Sequence, residues 1–192
     1  SNRDHIGPIN PINQHGNLYI LTCICDLSKY AITIPVPDTT AETTARNLVE
    51  RVFLSFGFPE KIVPDNFTSF TSETLREICK LLKIKQVFCS PYHPQSNVVE
   101  RYHRTLGNYL RTFISDNPIY WQEALPFATS SYNQMTHVST NFSPFELVFG
   151  RIMQLPSSIL RNYTPSYTYD NYLGELKTNL RKTCQLAREP RA

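Results

Sequence analysis

Two apolar runs rich in β-branched residues come early in the chain. They are Leu18–Asp26 (LYILTCICD) and Tyr30–Val36 (YAITIPV), with only LSK between them. Such runs around a polar link predict a strand hairpin. Thr39 or Thr40 then precedes Glu42, and Ala45, Leu48, Val49 and Val52 recur at helical spacing. The pattern predicts a capped helix to about Ser55, ended by Gly57 and Pro59. KIVP at 61–64 predicts a short buried strand closing at Asp65. Thr71 or Ser72 caps a helix through Leu75, Ile78, Leu81 and Leu82, and a strand follows over Ile84–Phe88.

The polar stretch from Ser90 runs into the clearest helical pattern of the chain. Pro94 biases His93 away from helix, so the helix begins after it, with Ser96 or Asn97 as its cap. Val99, Tyr102, Leu106, Tyr109, Leu110 and Phe113 form one face. Asn97, Glu100, Arg104, Asn108 and Arg111 form another. A further helix spans Pro118–Met135 with the single Trp, Trp121. Ser143–Pro144 opens a short one (PFELVFG), where proline at the first turn loses no hydrogen bond. Residues 155–168 read as a connecting loop, and Tyr169 to about Arg188 as an amphipathic helix carrying Leu173, Leu176, Leu180 and Leu186. With a first strand around Asp4, the order β-β-β-α-β-α-β-α-α predicts an α/β fold. Its domain layout is a core over 1–152, a Pro/Tyr-rich connector over 153–168, and a C-terminal helix over 169–192 that begins a downstream region.

Bulk composition narrows this only slightly. With 192 residues, 41% hydrophobic and 18% charged, the chain suits one domain with a substantial core rather than a disordered segment. A net charge of +3 permits a polyanionic partner without requiring one. No apolar run approaches bilayer length, so no membrane partner is expected. The chain opens on Ser rather than Met, as a fragment or processed piece would. Five cysteines without a CxxC pair argue against zinc. Cys23 and Cys25 are expected to share a strand face as buried thiols in a reducing compartment.

Candidate chemistry gathers on carboxylates. Asp65 closes a short strand, Asp4 lies in the first extended segment, and Glu100 stands in the first turns of a helix behind a loop. Three oxygen ligands of this kind could hold Mg²⁺ or Mn²⁺, and two such ions can activate a nucleophile and stabilise a leaving oxygen. Spacing along the chain does not bring the three together. Glu100 with Arg104 also reads as an i,i+4 pair on a solvated face, and Asp65 with Asn66 as a turn cap. His93 and His103 read as loop or helix-surface packing. Lys80, Lys83 and Lys85 read as a solvated basic cluster, and Tyr92, Tyr102 and Trp121 as core or rim. There is no glycine-rich phosphate loop and no Ser-His-Asp signature.

The segments DHIGPI (4–9), NLYILTCICDLSKYAITIPVPD (17–38), GFPEKIVPDNFTSFTSETLREICKLLKIKQ (57–86), PYHPQSNVVERYHRTLGNYLR (91–111), YNQMTHVSTNFSPFELVFGR (132–151) and the tail YDNYLGELKTNLRKTCQLARE are diagnostic in combination. In this order the chain resembles the catalytic core of retroviral-type integrases, and most closely those of Gypsy-type retrotransposons. The resemblance implies an RNase H-like fold, a five-stranded mixed sheet flanked by helices, with additional C-terminal helices. It implies a two-metal Mg²⁺ or Mn²⁺ site formed by Asp4, Asp65 and Glu100. It further implies DNA as the partner, no small-molecule substrate, a homodimer or higher multimer, and nuclear action. Asn66 and the loop residues Gln95, Ser96 and Asn97 would contact the DNA end, and Lys83, Lys85, Arg101 and Arg104 its phosphates. The implied reaction is hydrolysis near the element's DNA end, followed by attack of the freed 3′-OH on target DNA.

The chain departs from the family pattern in three places. Phe67 replaces the usual Gly after Asp65–Asn66. PQSN runs into VVE without its Gly, so that 34 residues separate Asp65 from Glu100. Arg3 precedes Asp4 where an apolar residue is typical. If the loop absorbs the missing residue, Glu100 keeps its place; if the helix does, Glu100 rotates by about 100°. The alternative is therefore a catalytically inactive, domesticated or decayed descendant that binds nucleic acid or protein. An RNase H-like nuclease acting on RNA–DNA hybrids is a third reading. The family's zinc-binding and C-terminal DNA-binding domains do not show in this sequence, and a core by itself is expected to bind DNA weakly.

Overall fold

The computed structural model describes residues 2–9, 16–64, 73–87, 96–113 and 121–154, and in the C-terminal stretch residues 174, 176–178, 180–182 and 184–185, all of these last in helical conformation. Five strands form a mixed sheet: β1 (Asn2–Ile6), β2 (Tyr19–Ile24), β3 (Ala31–Val36), β4 (Lys61–Pro64) and β5 (Lys85–Gln86), in the order β3-β2-β1-β4-β5. β1, β2 and β3 are antiparallel, β4 runs parallel to β1, and β5 parallel to β4. The expected hairpin is β2–β3. From Ile20 to Ile24 every residue of β2 is buried, the mark of a strand covered on both faces.

α1 (Ala41–Asn47) begins as the sequence predicts. Thr40 Oγ1 accepts the Thr43 N–H at 3.3 Å, and Asp38 in turn accepts from Thr40 N at 2.9 Å and Thr40 Oγ1 at 2.6 Å. The continuation differs from the uniform α-helix expected to Ser55. Leu48–Phe53 wind as a π-helix before α2 (Leu54–Phe56). The wider turn keeps Leu48, Val52 and Phe53 on the buried side, where strict α spacing would carry one of them outward. α3 (Glu73–Leu81) packs beside α1. Together these helices cover one face of the sheet, where Leu21, Cys23, Ile34, Val36 and Ile62 meet Ala45, Leu48, Val52, Phe53, Cys79 and Ile84.

α4 (Ser96–Phe113) and α5 (Trp121–Gln134) belong to the other face. α4 packs on β1 and buries Val99, Tyr102, Leu106 and Leu110, the stripe expected from periodicity. α5 buries Trp121, Leu125 and Ala128, and reaches β3 through a Thr33–Thr129 hydroxyl contact of 2.6 Å. The motif glycine Gly7 follows β1 with φ +138°, and a Cβ there would stand 2.7 Å from both Leu18 O and the Tyr19 ring, so only glycine fits.

A second compact unit comprises Leu27–Tyr30 and the chain from Ser131 onward. Its α6 (Pro144–Phe149) is capped by Ser143 Oγ, which accepts the Glu146 N–H at 3.1 Å, with Pro144 in the first turn as expected. Phe149 stacks on Phe145 at 4.5 Å and meets Tyr30 edge-on at 5.8 Å. Gly150 ends α6 in the left-handed region, and its Cα lies against Leu176 and Leu180 of the apolar stripe that the C-terminal sequence predicts. The expectation of a buried cysteine pair fails. Cys23 is buried but Cys25 is exposed, because β2 ends at Ile24 and the alternation stops with it.

Candidate metal centre

Strand alternation sends Asp4 and His5 to opposite faces of the sheet. His5 turns to α1, with Nε2 3.2 Å from Thr44 Oγ1. Burial pulls its pKa down to about 4, a shift that the nearby Asp38 charge only partly opposes, so this imidazole is neutral at physiological pH. Asp4 turns to α4. Its Oδ1 accepts the His5 N–H at 2.7 Å, and its Oδ2 lies 3.4 Å from His103 Nδ1. Both side chains are largely buried, 13% and 19% exposed.

The antiparallel register extends this environment across the sheet. Asp4 pairs with Thr22, and Thr22 with Thr33, so the three side chains share a face. Thr33 then contacts Thr129. Thr22 is fully buried, and its hydroxyl has no hydrogen-bond partner among the described residues. A polar row therefore runs from α5 to the Asp4 carboxylate.

Glu100 lies on α4 one turn before His103 and is exposed. The two positions differ by about 60° around the helix, so Glu100 flanks the side turned toward Asp4. α4 is regular from Ser96 onward, which keeps Glu100 in phase with the buried stripe. Asp65, Asn66 and Gln95 lie outside the described residues, as do the side chains of Ser96 and Asn97. The last described residue before Asp65 is Pro64, which pairs with Arg3 immediately before Asp4. Among the described residues, no three His, Cys, Asp or Glu side chains gather into a metal-holding group. The oxygen donors that are described nonetheless fit a hard divalent cation. One sheltered carboxylate is oriented on both oxygens, and a second carboxylate stands on the facing helix.

The cationic candidates divide. Arg101 and Arg104 are exposed on α4, the helix of Glu100. Lys83 (φ +54°) follows α3, and Lys85 opens β5 opposite Lys61 at the start of β4. That is the end of β4 remote from Pro64 and Asp65, so the register does not bring Lys85 to Asp4. Lys61, beside Lys85, was not singled out from sequence, and neither was the Thr22–Thr33 row. His103 corrects an expectation as well: it faces a carboxylate instead of packing on the helix surface. Its i,i+3 spacing from Glu100 was the available signal.

The integrase core domain model matches residues 4–94, beginning at Asp4. The retrovirus-related Pol polyprotein from transposon 412 of Drosophila melanogaster is 36% identical over 189 residues, 97% of this chain. The chain spans 15% of that polyprotein's length. Among solved structures, the catalytic core domain of BIV integrase superposes with a TM-score of 0.62 at 24% identity, covering 77% of this chain and 91% of that one. The HTLV-2 integrase catalytic core domain, solved in complex with magnesium in a trimeric form, also gives 0.62, at 17% identity, covering 77% and 93%. Sequence match and fold coincide: over residues 4–94 the chain is similar to integrase core domains, and it has the RNase H-like architecture of retroviral integrase catalytic cores.

Proposed function

We propose that this chain is the catalytic core of a DNA strand transferase that integrates a mobile element. The observation that carries the reading is the Asp4 carboxylate, held on β1 by the His5 N–H and turned toward the helix that bears Glu100. Asp4, Asp65 and Glu100 would hold Mg²⁺ or Mn²⁺. When bound, a pair of such ions supplies charge stabilisation for the attacking and leaving oxygens of a phosphodiester. The protein's own residues supply position. β1 and α4 fix two carboxylates from rigid elements, and Arg101 and Arg104 stand exposed on the same helix, where phosphates of an approaching duplex would meet them.

In the first reaction, water displaces the 3′-terminal nucleotides of the element and frees a 3′-OH. In the second, that hydroxyl attacks a target phosphodiester, so one bond forms as another breaks and no energy source is consumed. The partners are element and target DNA, with Gln95, Ser96, Asn97 and Asn66 at the DNA end, and the working form is a multimer acting in the nucleus.

The test is strand joining on a branched DNA substrate with Mn²⁺, comparing the chain with its Asp4→Asn and Asp65→Asn variants. Joined product in the parent and background in both variants is expected. A folded parent that binds DNA but gives no product, with or without metal, sinks the reading in favour of an inactive binding module.

A further inference from the structure

Asp4 has two oxygens with two different neighbours. Oδ1 is tied to the adjacent backbone N–H at 2.7 Å, an attachment internal to β1. Oδ2 faces His103 Nδ1 at 3.4 Å, a contact that spans from the strand to α4. With its proton on Nδ1, the ring presents a donor toward the carboxylate. The contact lies mostly out of water, at 19% and 13% exposure, where a polar pairing is screened little. His103 also sits one turn after Glu100, so its register on Asp4 sets the rotation of the helix that carries the second carboxylate.

We propose that His103 is a positioning residue: it locks the rotamer of the Asp4 carboxylate and keys α4, and with it Glu100, to β1. The proposal rests on the reading of Asp4 as a metal ligand. A carboxylate held from behind by a second hydrogen-bonding group presents its remaining lone pairs in one direction. Loss of such an outer partner weakens metal binding by about 10–100-fold. The keying also bears on the residue missing before Val98. With His103 anchored on Asp4, α4 keeps its rotation.

The test is a Mn²⁺ titration followed by water proton relaxation, on the whole chain and on His103→Leu, His103→Asn, His103→Gln and Asp4→Asn, with thermal melting in parallel. Asn places its amide nitrogen where Nδ1 stands, whereas Gln places it where Nε2 stands. Expected are affinity within a few-fold of the parent for Asn, and weakening by about 10–100-fold for both Leu and Gln. If Leu fails to fold, the Asn–Gln pair still decides. Equal affinities for Asn and Gln, whether strong or weak, overturn the proposal, because simple ring packing does not distinguish them. Asp4→Asn binding as tightly as the parent would instead overturn the metal reading itself, and the role of His103 would fall with it.

Discussion

The two faces of the sheet are built on different terms. Beneath α1 and α3 the contact is an apolar layer, in which Leu21, Ile34, Val36 and Ile62 meet Leu48, Val52 and Phe53. Beneath α4 and α5 apolar residues still pack, but Asp4, Thr22 and Thr33 cross the strands in register, and His103 and Thr129 answer them from the helices. The first face supplies burial free energy. The second gives up some of it, since a buried hydroxyl without a partner costs about 1 kcal/mol. In exchange it keeps a carboxylate sheltered and oriented. One sheet thus separates stability from chemistry by strand alternation alone: Asp4 and His5 are adjacent in sequence and serve opposite faces.

If this division holds, truncation on the apolar face should act on stability far more than on chemistry. Leu48→Ala removes a fully buried side chain beneath the sheet and should cost about 2–5 kcal/mol. That lowers the melting temperature by about 2–4 °C per kcal/mol, while folded protein at low temperature still joins DNA ends. A large loss of joining by fully folded Leu48→Ala protein would show that the faces are not separable.

A smaller effect comes from His5, the one imidazole on the apolar face among the described residues. The folded pKa of His5 lies near 4 and the unfolded value is 6.5, so the unfolded chain binds a proton that the folded chain refuses. Stability contributed by this group is therefore full above about pH 6.5 and is lost as pH falls toward 4. Denaturant midpoints measured from pH 7.5 to 4.5 should fall, and His5→Gln should flatten that part of the slope. An unchanged slope in the variant would place the acid sensitivity elsewhere.

The smallest expected change is on the polar face. Thr22→Val removes the buried hydroxyl and keeps the branched shape, so the melting temperature should hold or rise slightly, by the equivalent of about 1 kcal/mol or less. A clear drop would mean that the hydroxyl is hydrogen-bonded in solution, and the polar row would then contribute to stability after all.

Much of this was legible in the sequence, for a definable reason. The β2–β3 hairpin, the Thr40 cap of α1, the buried stripe of α4 and the Ser143–Pro144 start of α6 depend on residues within a few positions of one another. Local backbone geometry repeats at 2.0 or 3.6 residues, so composition over such a window carries the signal. The exceptions are also local, one at a strand end and one within a helix. Cys25 falls one residue past β2, and the π-turn at Leu48–Phe53 changes the period within a helix.

By itself, then, the amino-acid sequence determined the α/β class, the order of its elements, the resemblance to integrase cores and the candidate acidic residues. Tertiary structure decided which side chains meet. Strand register brought Thr22 beside Asp4 and kept Lys85 beside Lys61, away from it, and helix packing turned His103 onto the Asp4 carboxylate. Those pairings join residues 18 to about 100 positions apart, and no periodicity along the chain encodes them. They follow from burying one particular set of apolar faces at once, and only the assembled core satisfies that condition.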